Sequence, residues 1–351
     1  MKLILSDGSI FSGHGFGFPT SSSGELIFNT GMTGYPETMT DPSYFGQIIV
    51  FTFPLIGNYG IPKSTEEGYN KIITNFESDK IHTKGIVVSS LSENYSHFDA
   101  ESSLSKWMYE NKIPGITDVD TRALTIKIRE KGTVLGKLVH ENEDIEFYDP
   151  NNHKIIPEVS IKEPIEYSAG SKKIILVDTG LKLNILRSML KRNISVLRVP
   201  WNYDYSKEKF DGVLLSNGPG DPAQAMETVE NLQKVLSFNK PILGICLGHQ
   251  MLAMVAGAKT YKLKYGHHSQ NQPCVEVGAK KGIITSQNHG YAVDEKTLGN
   301  DWKPWFFNAN DGSNEGIRHA LKPFRSVQFH PEAVPGPTDA NYLFDEFVSN
   351  L

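Results

Sequence analysis

The chain of 351 residues predicts an α/β protein, with a doubly wound, mostly parallel sheet in its C-terminal part and a smaller α+β domain at its N-terminal end. After residue 172, short apolar runs alternate with amphipathic ones, the pattern of a parallel sheet covered by helices. Before residue 140, short alternating runs and turns dominate. Between 141 and 171 charge rises, Pro150, Pro157 and Pro164 recur, and apolar periodicity fades. The expected organisation is an N-terminal domain at 1–140, a linker at 141–171 and a C-terminal domain at 172–351.

In the N-terminal part, strands are expected over 2–5, 25–29, 47–53 and 85–89, with Asp7-Gly8 turning the chain after the first. Asp99 reads as the cap of a helix over 100–111, with Glu101 in its first turn. Asp120 reads as the cap of a second helix over 121–131, which Gly132 stops. In the C-terminal part, strands are expected over 173–177, 195–199, 212–215 and 242–245. Helices are expected over 183–191, 228–238 and 247–256, the last closed by Gly257.

That last helix begins in Gly244-Ile-Cys246-Leu-Gly248, a nucleophile elbow written with sulfur. A sharp strand-to-helix turn crowds the backbone, so its flanks must be small and the thiol stands at the tip. A helix N-terminus also favours the thiolate. Ser326-Val-Gln-Phe-His-Pro-Glu332 supplies a histidine and a carboxylate two positions apart. In extended chain such residues point the same way, and Pro331 pushes its predecessor toward extended conformation. His330 and Glu332 are therefore candidates for base and orienter. Leu214-Leu-Ser-Asn-Gly-Pro-Gly-Asp-Pro222 is a strand end running into a loop whose glycines let backbone N–H groups approach a developing oxyanion.

Composition narrows the remaining classes. Formal net charge is −5 with both signs interspersed, so no nucleic-acid partner is expected. The longest apolar stretch, 48–56, is interrupted by Thr52 and Pro54, so no membrane span is expected, and the first residues lack a signal-like core. Two cysteines, Cys246 and Cys274, fit a reducing compartment, and a cytoplasmic protein is expected. Val177-Asp-Thr-Gly-Leu-Lys-Leu-Asn184 lacks the further glycines of a dinucleotide site, and Gly132-Thr-Val-Leu-Gly136-Lys137 lacks the spacing of a phosphate loop. His267-His268, His249 and His289 are read as structural, because adjacent strand residues face opposite sides and no cysteine pair is spaced for zinc. No metal is expected in this chain.

The elbow, the Gly218 loop and the His330–Glu332 segment together resemble the class I, triad-type glutamine amidotransferases, from about residue 172 to the C-terminus. The resemblance implies hydrolysis of L-glutamine to glutamate and ammonia, with Cys246 as nucleophile, His330 as base and later acid, and Glu332 orienting it. It implies oxyanion N–H groups from Gly218 and Leu247, and glutamine contacts from Gly220, Gln250, Asn288, Gly290 and Tyr291.

In the N-terminal half, Phe28-Asn-Thr-Gly-Met-Thr-Gly-Tyr-Pro-Glu37, Thr40-Asp-Pro-Ser-Tyr44, Gly57-Asn-Tyr-Gly60 and Thr117-Asp-Val-Asp-Thr-Arg-Ala-Leu-Thr125 resemble the small-subunit family of carbamoyl phosphate synthetase. With Gly266-His-His268 and Glu315-Gly-Ile-Arg-His319 the likeness spans nearly the whole chain, while Ser269 and Gln272 stand where that family usually has glycine and histidine. This implies a large synthetase subunit as partner, docked through the N-terminal domain and converting ammonia, bicarbonate and two ATP to carbamoyl phosphate for arginine and pyrimidine biosynthesis. It implies no cofactor in this chain, with ATP and Mg on the large subunit, and Ser43 reaching the bound glutamine. Two other readings stay open at this level: a stand-alone cysteine hydrolase of similar fold, and an interaction subunit whose hydrolase has decayed.

Overall fold

A computed structural model describes residues 1–68, 71–141 and 143–351, in two compact units, Met1–His153 and Lys154–Leu351. The division falls inside the stretch expected as a linker, of which Asn142 lies outside the described residues. That stretch is not free of structure. It holds a 3-10 turn at Pro150–Asn152, a short helix at Ile156–Val159 and a strand at Ile165–Tyr167 that pairs with Ile194–Pro200. Two of the prolines that read as linker punctuation stand at the starts of helical turns, where a missing N–H costs nothing. Ile155 and Ile156 beside them are buried.

The first unit is built on an eight-stranded sheet. From edge to edge it runs Ile10–Ser12, Lys2–Leu5, Val134–Val139, Ser22–Asn29, Gln47–Phe51, Gly85–Val87, Pro114–Thr117 and His14–Gly17. The four strands from Ser22–Asn29 to Pro114–Thr117 are parallel, and the others pair antiparallel. Ile27, Ile49, Ile86 and Met108 share one core with Tyr35 and Met39 of the helix Tyr35–Thr40.

The helix expected from residue 100 begins later. Ala100–Ser102 pairs as a strand with Ile61–Pro62, and the helix is Leu104–Glu110. Ser103, not Asp99, caps it by accepting from the Lys106 N–H at 3.2 Å. That start puts Leu104 and Met108, four residues apart and both buried, on one helical face. The helix Thr121–Lys131 has the expected Asp120 cap and Gly132 stop.

The second unit holds a ten-stranded sheet in the order Ile165–Tyr167, Ile194–Pro200, Lys172–Asp178, Gly212–Leu215, Ile242–Ile245, Phe324–Val327, Asn314–His319, Gly282–Asp294, Lys259–Glu276 and Trp302–Asn308. Its five central strands, from Ile194–Pro200 to Phe324–Val327, are parallel. The four after them run antiparallel. Consecutive residues Ile174, Ile175, Leu176 and Val177 are all fully buried, and since successive strand residues point to opposite faces, both faces are covered. The helices Leu183–Lys191, Met226–Val235, Leu247–Val255 and Tyr342–Ser349 belong to this unit. Leu247 and Met251 pack with Val229 and Trp201, each such burial stabilising the fold by about 1.5–3 kcal/mol.

Candidate active site

Cys246 stands between the strand Ile242–Ile245 and the helix Leu247–Val255, with φ 54° and ψ −104°. A non-glycine residue held there stores roughly 1–3 kcal/mol of backbone strain, which the surrounding structure must impose. Two glycines make the turn possible. A Cβ on Gly244 would lie 2.5 Å from the Gly248 carbonyl oxygen, and one on Gly248 would lie 2.4 Å from the Leu215 oxygen. The Cys246 N–H donates to the Val327 carbonyl at 2.9 Å, tying the elbow to the neighbouring strand. The thiol donates to the Asn288 carbonyl at 3.6 Å.

His330 and Glu332 meet beside it. His330 Nδ1 lies 2.6 Å from Glu332 Oε1, and both side chains are buried. The pair is not formed by strand alternation, because the strand stops at Val327. The Ala333 N–H donates back to the His330 carbonyl, so the two residues lie in a turn. The His330 N–H donates to the Ser286 carbonyl at 2.9 Å and fixes the start of that turn. Nε2 of His330 makes no hydrogen bond among the described residues. Burial works against a charge on this ring, but the Glu332 carboxylate and then the Cys246 sulfur more than reverse it, so His330 is a stronger base than free imidazole.

Sequence reasoning missed what holds Glu332. Lys182, itself buried, places Nζ 3.0 Å from Glu332 Oε1 and donates to the Ala333 carbonyl at 2.6 Å. Asn184 donates through Nδ2 to the Glu332 backbone carbonyl at 2.6 Å. Burial opposes the carboxylate charge, yet Lys182 and then His330 hold Glu332 well below the usual carboxylate range. Both residues come from 177–184, the strand, turn and helix start that lacks the glycines of a dinucleotide site. The available signal is a lysine set between two leucines at a helix start.

The Gly218 loop lies against the elbow. A Cβ on Gly218 would fall 2.0 Å from the Thr179 carbonyl oxygen and 2.9 Å from Leu247 Cδ2, so only glycine fits. No carbonyl among the described residues accepts from the N–H of Gly218 or of Leu247. Below them the Gly248 N–H donates to the Ser216 carbonyl, and Thr179 Oγ1 donates to the Asn217 carbonyl at 2.9 Å. Gly220 has φ 86°. Gln250 donates through Nε2 to the Tyr291 carbonyl at 2.9 Å and to Gln328 Oε1 at 3.1 Å. Asn288, whose carbonyl faces the thiol, accepts at Oδ1 from the His268 side at 2.7 Å. A Cβ on Gly290 would meet open space.

Cys246, Leu247, Gly218, Asn288, His330 and Glu332 are thus brought together, and Gln250, whose N–H donates to the Cys246 carbonyl at 3.2 Å, ties Tyr291 to them. Ser43 belongs to the first unit, in the 3-10 turn Pro42–Tyr44. His249 lies fully buried with Nδ1 2.9 Å from Ser326 Oγ, and burial lowers its pKa to about 3, so it stays neutral. No helix among the described residues is long and apolar enough to cross a membrane.

Residues 175–350 match the family model of glutamine amidotransferase class-I, and residues 3–138 match that of the carbamoyl-phosphate synthase small chain, CPSase domain. The chain is 48% identical to the carbamoyl phosphate synthase arginine-specific small chain of Neurospora crassa, over 99% of this chain and 79% of that one. It is 51% identical to the multifunctional protein CAD of Squalus acanthias and 46% identical to the human mitochondrial carbamoyl-phosphate synthase [ammonia], over 99% of this chain in both cases. It spans only 16% and 23% of those two longer relatives. A family model covering the first unit, another covering the second, and a small-chain relative matched over most of its length agree with the elbow and its array. The chain belongs to the carbamoyl-phosphate synthase small-chain family, and its second unit is a class-I glutamine amidotransferase domain.

Proposed function

We propose that this chain hydrolyses L-glutamine to glutamate and ammonia and delivers the ammonia to a large carbamoyl phosphate synthetase subunit. The observation that carries the reading is the strained Cys246 elbow facing a histidine whose other nitrogen is fixed by Glu332 and, through it, by Lys182. Family membership alone does not decide it, because one relative bears the name of an ammonia-dependent enzyme. An assembled nucleophile, base and orienter favour glutamine as the nitrogen source, and they speak against a decayed hydrolase.

In this mechanism Sγ of Cys246 attacks the carbonyl carbon of the glutamine side-chain amide while Nε2 of His330 takes the thiol proton. The oxyanion forms against the N–H groups of Gly218 and Leu247. His330 then gives its proton to the departing nitrogen, and ammonia leaves a glutamyl thioester on Cys246. Water, deprotonated by His330, attacks the thioester and releases glutamate and the thiol. Glu332 stays ionised throughout and holds Nδ1–H, as the acid of a triad does. Gly220, Gln250, Asn288, Gly290 and Tyr291 hold the glutamine, and Ser43 joins them on its motif alone. The large subunit supplies the sites for ATP, Mg and bicarbonate, and this chain needs no cofactor. A cytoplasmic setting, with Cys246 kept as a free thiol, and a product used in arginine or pyrimidine biosynthesis complete the reading.

The test is Cys246→Ser in the complex with the large subunit. Glutamine-dependent carbamoyl phosphate synthesis falls by at least about 10⁴-fold, while synthesis from added ammonia persists. Equal loss of both activities refutes the assignment.

A further inference from the structure

The antiparallel half of the second unit's sheet carries a separate cluster of histidines and carboxylates that the glutaminase chemistry does not use. His267 and His289 are direct cross-strand partners on Lys259–Glu276 and Gly282–Asp294, so their side chains rise on one face. Glu315, fully buried, enters from Asn314–His319. One donor atom from each of the three lies within 4.8 Å of the others. Glu315 Oε1 is 3.5 Å from His267 Nδ1 and 4.0 Å from His289 Nε2. Gln287 Oε1 faces the same two nitrogens at 2.9 and 3.2 Å. Donor atoms bound tetrahedrally to zinc at about 2.0–2.1 Å stand roughly 3.3 Å apart, in the middle of these separations.

The outer partners match as well. His267 Nε2 is 2.9 Å from Asp311 Oδ2, and His289 Nδ1 is 2.8 Å from the Tyr291 carbonyl oxygen. In each ring an acceptor claims the outward nitrogen, while the inward ones, His267 Nδ1 and His289 Nε2, both face the Gln287 amide oxygen, so a metal ion takes the inward lone pairs by displacing the proton that His267 Nδ1 shares with it. Histidines that ligate metals are oriented in this way, by a carboxylate or a backbone carbonyl on the far nitrogen. Glu315 Oε2 is buried with no hydrogen-bond partner among the described residues. A carboxylate oxygen without a hydrogen bond in the interior is costly, and a divalent cation beside it offsets that cost more fully than the single charge available on His267.

We propose that His267, His289, Glu315 and Gln287 hold a divalent metal ion, zinc by the chemistry of two imidazoles, a carboxylate and an amide oxygen. The ion joins three antiparallel strands, one of which also carries Asn288 and Tyr291. The sequence argument that adjacent histidines diverge holds, since His268 turns instead to Asn288. The second imidazole comes from the next strand.

The test uses the purified full chain, stripped with a chelator and titrated with Zn²⁺ in a calorimeter, with Co²⁺ as a spectroscopic probe. The expected result is one Zn²⁺ per chain and the strong visible absorption of tetrahedral Co²⁺. Asp311→Asn weakens binding by about 10–100-fold, Glu315→Gln by more, and Cys246→Ala leaves it unchanged. Should Glu315→Gln not fold, Asp311→Asn decides, because its side chain is 44% exposed. Absence of stoichiometric uptake overturns the proposal and leaves His267 as a cation between two carboxylates. So does uptake that survives both variants, or that disappears with Cys246.

Discussion

Two histidines lie buried among carboxylates in the second unit, and they differ in what the second ring nitrogen faces. His330 has Glu332 on Nδ1, keeps Nε2 without a hydrogen bond among the described residues, and has the Cys246 sulfur near enough to raise its basicity. His267 has Glu315 and Gln287 on Nδ1 and Asp311 on Nε2. Burial disfavours charge on both rings, and neighbouring carboxylates more than reverse it in both. A raised basicity is therefore not a mark of catalysis. What sets apart the ring proposed to be catalytic is a nitrogen without a hydrogen bond beside a cysteine on a strained turn.

Four experiments break or sharpen this contrast. His330→Asn lowers glutamine hydrolysis by a factor on the order of 10⁴ or more, whereas His267→Asn lowers it less than about tenfold and reduces Tm by several degrees. Steady-state kinetics and thermal melts on both variants measure this, and equal kinetic losses end the distinction. Glu332→Gln keeps the shape of the orienter but not its charge, so its loss is roughly one to two orders of magnitude smaller than that of His330→Asn. A larger loss from Glu332→Gln reverses the roles.

Lys182→Met removes the cation that keeps Glu332 ionised. The acid limb of kcat/KM for glutamine then moves to higher pH, by about one unit or more, and Lys182→Arg moves it back. A melt that falls while the limb stays in place reduces Lys182 to a packing residue.

The smallest effect is on stability against pH. Glu332 is depressed in the fold, so its contribution is present above the ordinary carboxylate value and is lost as pH falls through the lowered one. His330 is raised, so its contribution is complete below about pH 6.5 and is lost as pH rises through the raised value. Denaturant melts of wild type and His330→Asn should converge toward high pH, and parallel curves contradict the assignment.

The elbow was legible because its cause is local. Gly244 and Gly248 flank Cys246 within five positions, and the atoms they would strike belong to the turn and its neighbouring strand. The pairing of His330 with Glu332 was legible for the same reason of short spacing, although a turn and not a strand brings them together. Lys182 was not, since nothing in the residues near it points to Glu332, 150 positions later, until the parallel sheet sets the two chain segments side by side. His289 was hidden from His267 in the same way, by the register of two long antiparallel strands. The helix at 104–110 was misplaced because Asp99 and Ser103 are both competent caps, and only the pairing of Ala100–Ser102 with Ile61–Pro62 decides between them.

The strand Phe324–Val327 is the last in chain order, yet it lies inside the sheet beside the strand that ends at Ile245, just before Cys246. A ribosome therefore makes Cys246, the proposed nucleophile, about 80 residues before His330, its proposed base. Until those residues emerge and insert, one edge of the Cys246 strand is open, the Val327 carbonyl that anchors the elbow is missing, and the sulfur has no proton acceptor. On the proposed reading, a growing or clipped chain that lacks this final strand does not release ammonia, so the appearance of that activity reports that the strand has inserted.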